Sequence, residues 1–248
     1  MYGNLNRGAS MKVSIIIPTY NEAGTIKNVL QRAGTASFGF EAEREIIVVD
    51  DGSSDSTRDI LDTIPDIIIV RFEKNKGKGA AVKAGFLRSS GDIVLIQDAD
   101  LEYNPADYPK LLGPLYEGRA DVVYGSRFYG GRQRVLYFWH FMGNKALTLF
   151  SNIFTNFNLS DMETGYKAFR REVLDCIAPR LRSSRFGIEP ELTARVAHTR
   201  NREGKQWRVY EVPIQYDGRT YEEGKKIGWK DGLKAILAIL YFNIIDRG

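Results

Sequence analysis

Three polar clusters in this chain carry residue types that could act on one ligand: Pro18-Thr19-Tyr20-Asn21-Glu22, Asp50-Asp51-Gly52-Ser53 and Asp98-Ala99-Asp100-Leu101-Glu102. The third is the most informative. Carboxylates two residues apart at the end of an extended segment point to the same side, and the repulsion between them is relieved by a cation. Hard oxygen ligands that leave positions open for phosphate oxygens suit Mg²⁺ or Mn²⁺. Such an ion would neutralise charge building on a departing diphosphate. The plainer alternative is a solvated loop with helix-capping aspartates, and the position at the end of an apolar strand argues against it. In the second cluster, Asp-Gly-Ser followed by Asp55 is good turn and N-cap chemistry. One of its carboxylates can serve that purpose while the other accepts a hydrogen bond from a base imide N–H. In the first, Tyr20 offers a ring to stack on a base and Glu22 an acceptor for polar donor groups.

Other motifs carry less. Lys74-Asn75-Lys76-Gly77-Lys78-Gly79 leads into a helix, where free backbone amides suit phosphate. It lacks the Gly-Lys-Ser/Thr ending of a P-loop, and Val82 stands where a dinucleotide fingerprint has its third glycine; a turn and helix start is the plainer reading. His140 and His198 have no partners at ligand spacing. The lone Cys176, in a helical stretch from Glu172 to Ile177, excludes a disulfide framework and a thiolate metal site, and a reducing setting fits.

The elements that must position these clusters are legible in the hydrophobic pattern. Apolar runs at Val13–Ile17, Glu45–Val49, Ile67–Phe72, Ile93–Gln97 and Asp121–Tyr124 alternate with helical patterns at Thr25–Arg32, Ser56–Thr63, Gly79–Arg88 and Pro105–Tyr116. Short apolar strands separated by helices predict a mostly parallel sheet covered on both faces, with ligands at the carboxyl ends of the strands. All three clusters fall at such ends. The second half changes character: a long aromatic helix (Val135–Phe154), helices near Glu172 and Glu189, a strand at Arg208–Val212, and a terminal helix from about Trp229 with Lys225, Lys226, Lys230 and Lys234 around its start. That last helix fits either a membrane interface or a core-docked end.

At 248 residues and 43% hydrophobic content the chain can bury a sizeable core. One domain, with a nucleotide-sugar half (12–126), an acceptor half (127–226) and a C-terminal helix (227–248), is the expected organisation. Residues 1–11 read as a disordered leader without signal-peptide or anchor character. The net charge of +4 is spread over interleaved acids and bases, which does not call for nucleic acid. The longest apolar stretch, Leu233–Ile245, is too short to span a bilayer at about 20 residues.

With these clusters in this order, the chain resembles the family 2 inverting glycosyltransferases of the GT-A fold, and within them the polyprenyl (dolichol) phosphate mannose and glucose synthases. The likeness runs from about Lys12 to Lys226. It implies an α/β GT-A fold with an acceptor-side α+β portion, a nucleoside pocket at Pro18, Tyr20, Glu22, Val49, Asp51 and Ala99, and a metal on Asp98 and Asp100 with Glu102 nearby. The resemblance further implies that Arg127, in Gly125-Ser126-Arg127, contacts phosphate. It also implies that Arg219 and Lys225, after Val212-Pro213-Ile214, close over the donor diphosphate. Glu222-Glu223-Gly224-Lys225-Lys226 departs from the Gly-Glu-Ser-Lys of the mannose synthases, so the sugar and base stay open between GDP-mannose and UDP-glucose.

The expected reaction is a single in-line displacement from a nucleotide sugar onto a polyprenyl phosphate, with Mg²⁺ or Mn²⁺, at the cytoplasmic face of a membrane that the protein touches peripherally. A phosphate acceptor is already an anionic nucleophile near neutral pH. A hydroxyl acceptor on a glycan or lipid, the alternative, needs a general base, for which Asp161, Glu163, Glu189 and Glu191 are the candidates. A non-catalytic nucleotide-sugar-binding protein is the alternative from another class. A nucleotidyltransferase would show a glycine-rich loop after the first strand, where Pro18-Thr19-Tyr20-Asn21-Glu22 stands instead.

Overall fold

A computed structural model describes residues 10–130, 134–135, 137–220, 222 and 229–247. Each predicted apolar run is a strand: β1 (Lys12–Thr19), β2 (Glu43–Asp50), β3 (Ile68–Arg71), β4 (Ile93–Ile96), β5 (Val122–Ser126) and, in the second half, β7 (Val209–Pro213). Helices α1 (Ile26–Thr35), α2 (Thr57–Asp62), α3 (Lys78–Arg88) and α4 (Tyr108–Tyr116) alternate with the first strands. After β5 come α5 (Phe138–Thr155), α6 (Arg171–Ile177), α7 (Ile188–His198) and α8 (Trp229–Leu240), the last running into a π-helical turn at Tyr241–Ile245.

The strands form one seven-stranded sheet in the order β3-β2-β1-β4-β6-β5-β7. All neighbours are parallel except β6 (Lys167–Arg170), which runs antiparallel between β4 and β5. The sequence pattern does not reveal β6. It is four residues long, begins with Lys167 and ends with Arg170. Its strand character comes from pairing on both sides, and its lysine is buried only because Glu189 neutralises it.

Alternation along the strands feeds two cores. Val13, Ile15 and Ile17 of β1 pack with Val29, Leu30, Leu111 and Leu112 on one face. Ile16 of β1 and Ile47 and Val49 of β2 pack with Ala81, Val82, Phe86, Leu192 and Ile239 on the other. Helix α3 lies so close to β1 that a Cβ on Gly85 would strike the Ile16 side chain. Burying each such aliphatic side chain is worth about 1.5–3 kcal/mol, so both faces hold the sheet and its edge rigid.

The terminal helix is core-docked on one side and open on the other. Ala235, Ile239 and Phe242 are buried against α5 and α7, whereas Leu233, Ile236, Leu237, Ile244 and Ile245 are exposed. Among the described residues no helix is long and apolar enough to cross a membrane. Residues 1–9 of the expected 1–11 leader and the basic pair Lys225 and Lys226 lie outside the described residues, as does the side chain of Lys230; Met11, at the leader's expected end, packs against the core.

Candidate active site

Because β1, β2, β4, β5 and β7 run in one direction, their carboxyl ends share one edge of the sheet, and antiparallel β6 begins at that edge. The three polar clusters meet there. The first two are tied to each other: the Asn21 and Glu22 amides donate to Ser53 Oγ and Thr57 Oγ1, each at 3.0 Å. The Ser54 amide in turn donates to Asn21 Oδ1 at 2.8 Å. Asn21 takes a left-handed φ of 53°, which its short polar side chain tolerates. Tyr20 stays 38% exposed at this edge.

In the second cluster the carboxylates are engaged. Asp50 is fully buried and accepts from the Ser53 amide at 3.0 Å and Arg58 Nε at 2.7 Å. Asp51 is 3% exposed and accepts from Asn75 Nδ2 (3.0 Å) and from the amides of Lys76 (2.6 Å) and Gly77 (2.8 Å). The sequence reading gave Asp51 to the base and the 74–79 amides to a turn; in the structure they hold each other. Val49, also expected in the nucleoside pocket, is fully buried in the core beneath α3. Ala99 is buried as well, at 4% exposure.

The third cluster leaves β4 through Gln97, a fully buried side chain that accepts from Tyr108 (2.9 Å) and Tyr166 (2.6 Å) hydroxyls and donates to the Asp98 carbonyl at 3.0 Å. This fixes the start of the loop. Leu101, at φ 65°, turns it back. Asp98 is bound by the Lys78 ammonium, 2.8 Å from Oδ1. Arg219 lies 3.3 Å from Asp100, 3.5 Å from Glu22 and 3.6 Å from Glu102, so it joins the first and third clusters. Glu102 accepts from the Tyr216 hydroxyl (2.7 Å) and the Arg219 amide (3.0 Å) and so secures the loop that carries Arg219. Gly165 is required beside Asp98, because any Cβ there would collide with Asp98 Oδ2. Its amide donates to the Tyr103 hydroxyl at 2.8 Å, and Tyr103 stacks on Tyr166 at 4.6 Å between centroids.

The acceptor-side residues are paired. Arg127 Nε and Nη2 bind Asp161 at 2.7 and 2.8 Å, and its amide adds a third bond at 3.0 Å. Arg127 is 9% exposed and Asp161 fully buried; the carboxylate beside the guanidinium raises the arginine's pKa against the pull of desolvation. Arg127, expected to contact phosphate, is here held in a buried bidentate pair. Glu191, fully buried, accepts from the amides of Arg182 (2.8 Å) and Ser183 (2.7 Å) and pairs with Arg195 at 3.2 Å, which makes it a clamp between α7 and its lead-in. Glu189 lies between Lys78, at 3.2 Å, and Lys167. Against the upward push of burial, these lysines hold its carboxyl below the usual carboxylate range.

Glu163 is the contrasting case. The residue is partly exposed, but its Oε1 is enclosed without a hydrogen-bond partner. Burial first, and the charge of Glu189 second, push its carboxyl up to about 7 despite the neighbouring Lys167 and Arg127. Lys167, Gly165, Tyr103 and Tyr216 carry no sequence signal that marks them as site residues. Lys78 was visible only as part of a turn motif. Lys225 lies outside the described residues.

Among the described residues no three His, Cys, Asp or Glu side chains converge as a ready-made metal cage. Two carboxylates suffice for Mg²⁺ or Mn²⁺, which are commonly held by one or two carboxylates while substrate phosphates complete the shell. Asp98 and Asp100 are the hard-oxygen pair at the open edge, with 16% and 25% of their side chains exposed, so the residues fit such an ion.

A sheet of this order, with an antiparallel strand inserted at its middle and an Asp-x-Asp loop after the fourth strand, defines a GT-A α/β fold. The structure matches glucosyl-3-phosphoglycerate synthase from Mycobacterium tuberculosis, solved with Mn²⁺, UDP and phosphoglyceric acid, at a TM-score of 0.71 over 95% of this chain and 79% of that one; at 22% identity the likeness is one of fold. Residues 14–178 match the sequence profile described as Glycosyl transferase family 2, and the chain belongs to that family. It is 32% identical over 225 residues to the dolichol-phosphate mannosyltransferase of Pyrococcus furiosus, covering 88% of this chain and 60% of that protein. It is 34% identical over 229 residues to the undecaprenyl-phosphate mannosyltransferase of Micrococcus luteus, covering 88% of each. A third relative, the undecaprenyl-phosphate 4-deoxy-4-formamido-L-arabinose transferase of Proteus mirabilis, is 33% identical over 171 residues, with 51% of its length covered. The chain therefore spans between about half and nine-tenths of the length of these relatives.

Proposed function

We propose that this chain transfers a hexosyl group from a nucleotide diphosphate sugar to a polyprenyl phosphate, with inversion at the anomeric carbon and with Mg²⁺ or Mn²⁺ held by Asp98 and Asp100. The observation that carries the choice of acceptor is the pairing of the acceptor-side acids. Asp161 is bidentate with Arg127, Glu189 sits between two lysines, and Glu191 is fully used in holding Arg195 and two amides. None of the three is poised to take a proton. A phosphate monoester needs no such group, being an anion already. The three relatives, named for dolichol and undecaprenyl phosphate, support the same acceptor, and the two mannosyltransferases favour mannose.

Each residue then has a task. The divalent cation supplies Lewis-acid stabilisation of the leaving diphosphate. Tyr20 stacks on the base, Arg219 swings from Glu22 and Asp100 onto donor phosphate, and Lys225 adds a further positive charge. Arg127, held in place by Asp161, lies on the acceptor side, and exchange of that carboxylate for the acceptor phosphate would let its guanidinium accommodate the headgroup's charge. Exposed Phe138, Trp139, Met142, Leu149 and Ile153 on α5, and Leu233, Leu237, Ile244 and Ile245 around α8, give the chain apolar surface for peripheral contact with the membrane that carries the lipid.

One observation favours a second reading. The Glu163 carboxyl, pushed up to about 7, has the proton affinity of a general base near neutral pH, and a hydroxyl acceptor on a glycan or lipid would use it. The first test is of the donor site: thermal shift with UDP, GDP, CDP, ADP and NAD, with and without Mn²⁺, on the native chain and on Asp100→Asn. A Mn²⁺-dependent rise with one nucleoside diphosphate, lost in the variant, is expected. No shift with any nucleotide would overturn the donor site.

A further inference from the structure

Lys78 stands at the first position of α3, and its ammonium reaches two carboxylates at once. It is 2.8 Å from Asp98 Oδ1 and 3.1 Å from Oδ2, and 3.2 Å from Glu189 Oε1. Glu189 passes the pattern inward, since its other oxygen accepts from Lys167, a fully buried lysine that also donates to the Thr164 carbonyl. The result is a string of alternating charge, Asp98–Lys78–Glu189–Lys167, that starts at the open edge of the sheet and ends inside it. In a low-dielectric setting such a string is stable only while each charge keeps a partner.

A divalent cation on Asp98 breaks that condition. An ammonium and a doubly charged ion cannot share one carboxylate at about 3 Å without strong repulsion. We propose that Lys78 is a movable counter-ion of the metal carboxylate: it holds Asp98 until the divalent cation takes that residue, then moves onto Glu189, which acts as its resting partner. This rests on the reading of Asp98 and Asp100 as the metal pair. Glu189 is thereby a positioning residue that governs how readily Asp98 is released.

The backbone around Lys78 makes the move a side-chain event. Gly77 and Gly79 press against the lead-in to α7 so closely that a Cβ on either would strike the carbonyls of Ser184 and Ser183, and the Ala80 amide donates to Ser184 at 3.1 Å. The start of α3 is therefore fixed to the segment that carries Glu189, while the flexible four-carbon stem of lysine is free to pivot between acids on either side. Arg219 stands on Asp100 in the same relation, at 3.3 Å.

The roles of Lys78 and Glu189 predict opposite effects on metal affinity, which a static structural pair does not. The experiment measures Mn²⁺ binding to the full chain without nucleotide, by the electron paramagnetic resonance signal of free Mn²⁺, with folding checked by circular dichroism. Lys78→Met removes the competitor and is expected to tighten Mn²⁺ binding at least tenfold. Glu189→Gln removes the resting partner and is expected to weaken it at least fivefold. In the double variant the effect of Glu189→Gln disappears, because there is no ammonium left to hold. Lys78→Met with unchanged or weaker binding overturns the proposal, as does a Glu189→Gln effect that persists without Lys78. Should Glu189→Gln fail to fold, the sign of the Lys78→Met effect alone decides. Binding that is unaltered by Asp100→Asn in the native background would overturn the metal site itself, an outcome distinct from failure of the counter-ion.

Discussion

Glu163→Gln is the most revealing substitution on the acceptor side. In the folded chain burial and Glu189 hold this carboxyl at about 7, against an ordinary value of 4.5. A carboxyl whose folded pKa is raised favours the native state most when it is protonated, below its unfolded pKa, and that advantage is lost as pH rises through the folded pKa. The window is therefore about pH 4.5 to 7. At about 1.4 kcal/mol per pH unit, the full loss is about 3.5 kcal/mol, of which about 2.5 kcal/mol falls between pH 5 and pH 8. Glutamine mimics the protonated acid and does not titrate. Urea unfolding at pH 5 and pH 8 is expected to show the variant gaining about 2.5 kcal/mol on the native chain across that interval. A stability difference that is the same at both pH values would refute the reasoning. The same variant bears on function: transfer to a lipid phosphate persists in it, because the acceptor supplies its own negative charge.

Two further predictions follow from the packing. Asp161→Asn leaves the buried Arg127 guanidinium without its counter-charge, and removal of one partner of such a pair costs about 3–5 kcal/mol, readable as a fall in urea midpoint at unchanged m-value. Leu237→Glu combined with Ile245→Glu, both at exposed positions near the chain's end, is expected to abolish co-sedimentation with anionic vesicles while leaving the nucleotide-dependent thermal shift intact. Undiminished sedimentation would remove these residues from the membrane contact.

The six strands other than β6 and the helices, in chain order, were legible because the apolar runs are marked off by turns rich in Gly, Asn and Asp. The Asp98–Asp100 pair was legible for the same reason: it follows at once on an all-apolar strand. What the sequence hid was electrostatic partnership. Arg127, Glu189 and Glu191 stand in the sequence as candidate phosphate-contacting or basic groups without visible partners, yet each is bound to residues far away in sequence or to backbone amides, and pairing across 34 positions, as in Arg127–Asp161, leaves no periodic trace. Strand β6 was hidden by its charged ends, since a lysine in its first position reads as surface until Glu189 is placed beside it. The partnership of Asp51 with the 74–79 turn was hidden because nothing local shows that a carboxylate at one strand end fills the amide cradle after the next.

The most direct test of the central claim is a transfer assay with labelled GDP-mannose and UDP-glucose in Mn²⁺, offered a polyprenyl phosphate and, in parallel, the corresponding polyprenol. The account predicts label in the lipid phosphate alone, with one of the two donors, and retention of that transfer in Glu163→Gln. Label in the polyprenol, abolished by Glu163→Gln, would contradict it and give the acceptor as a hydroxyl.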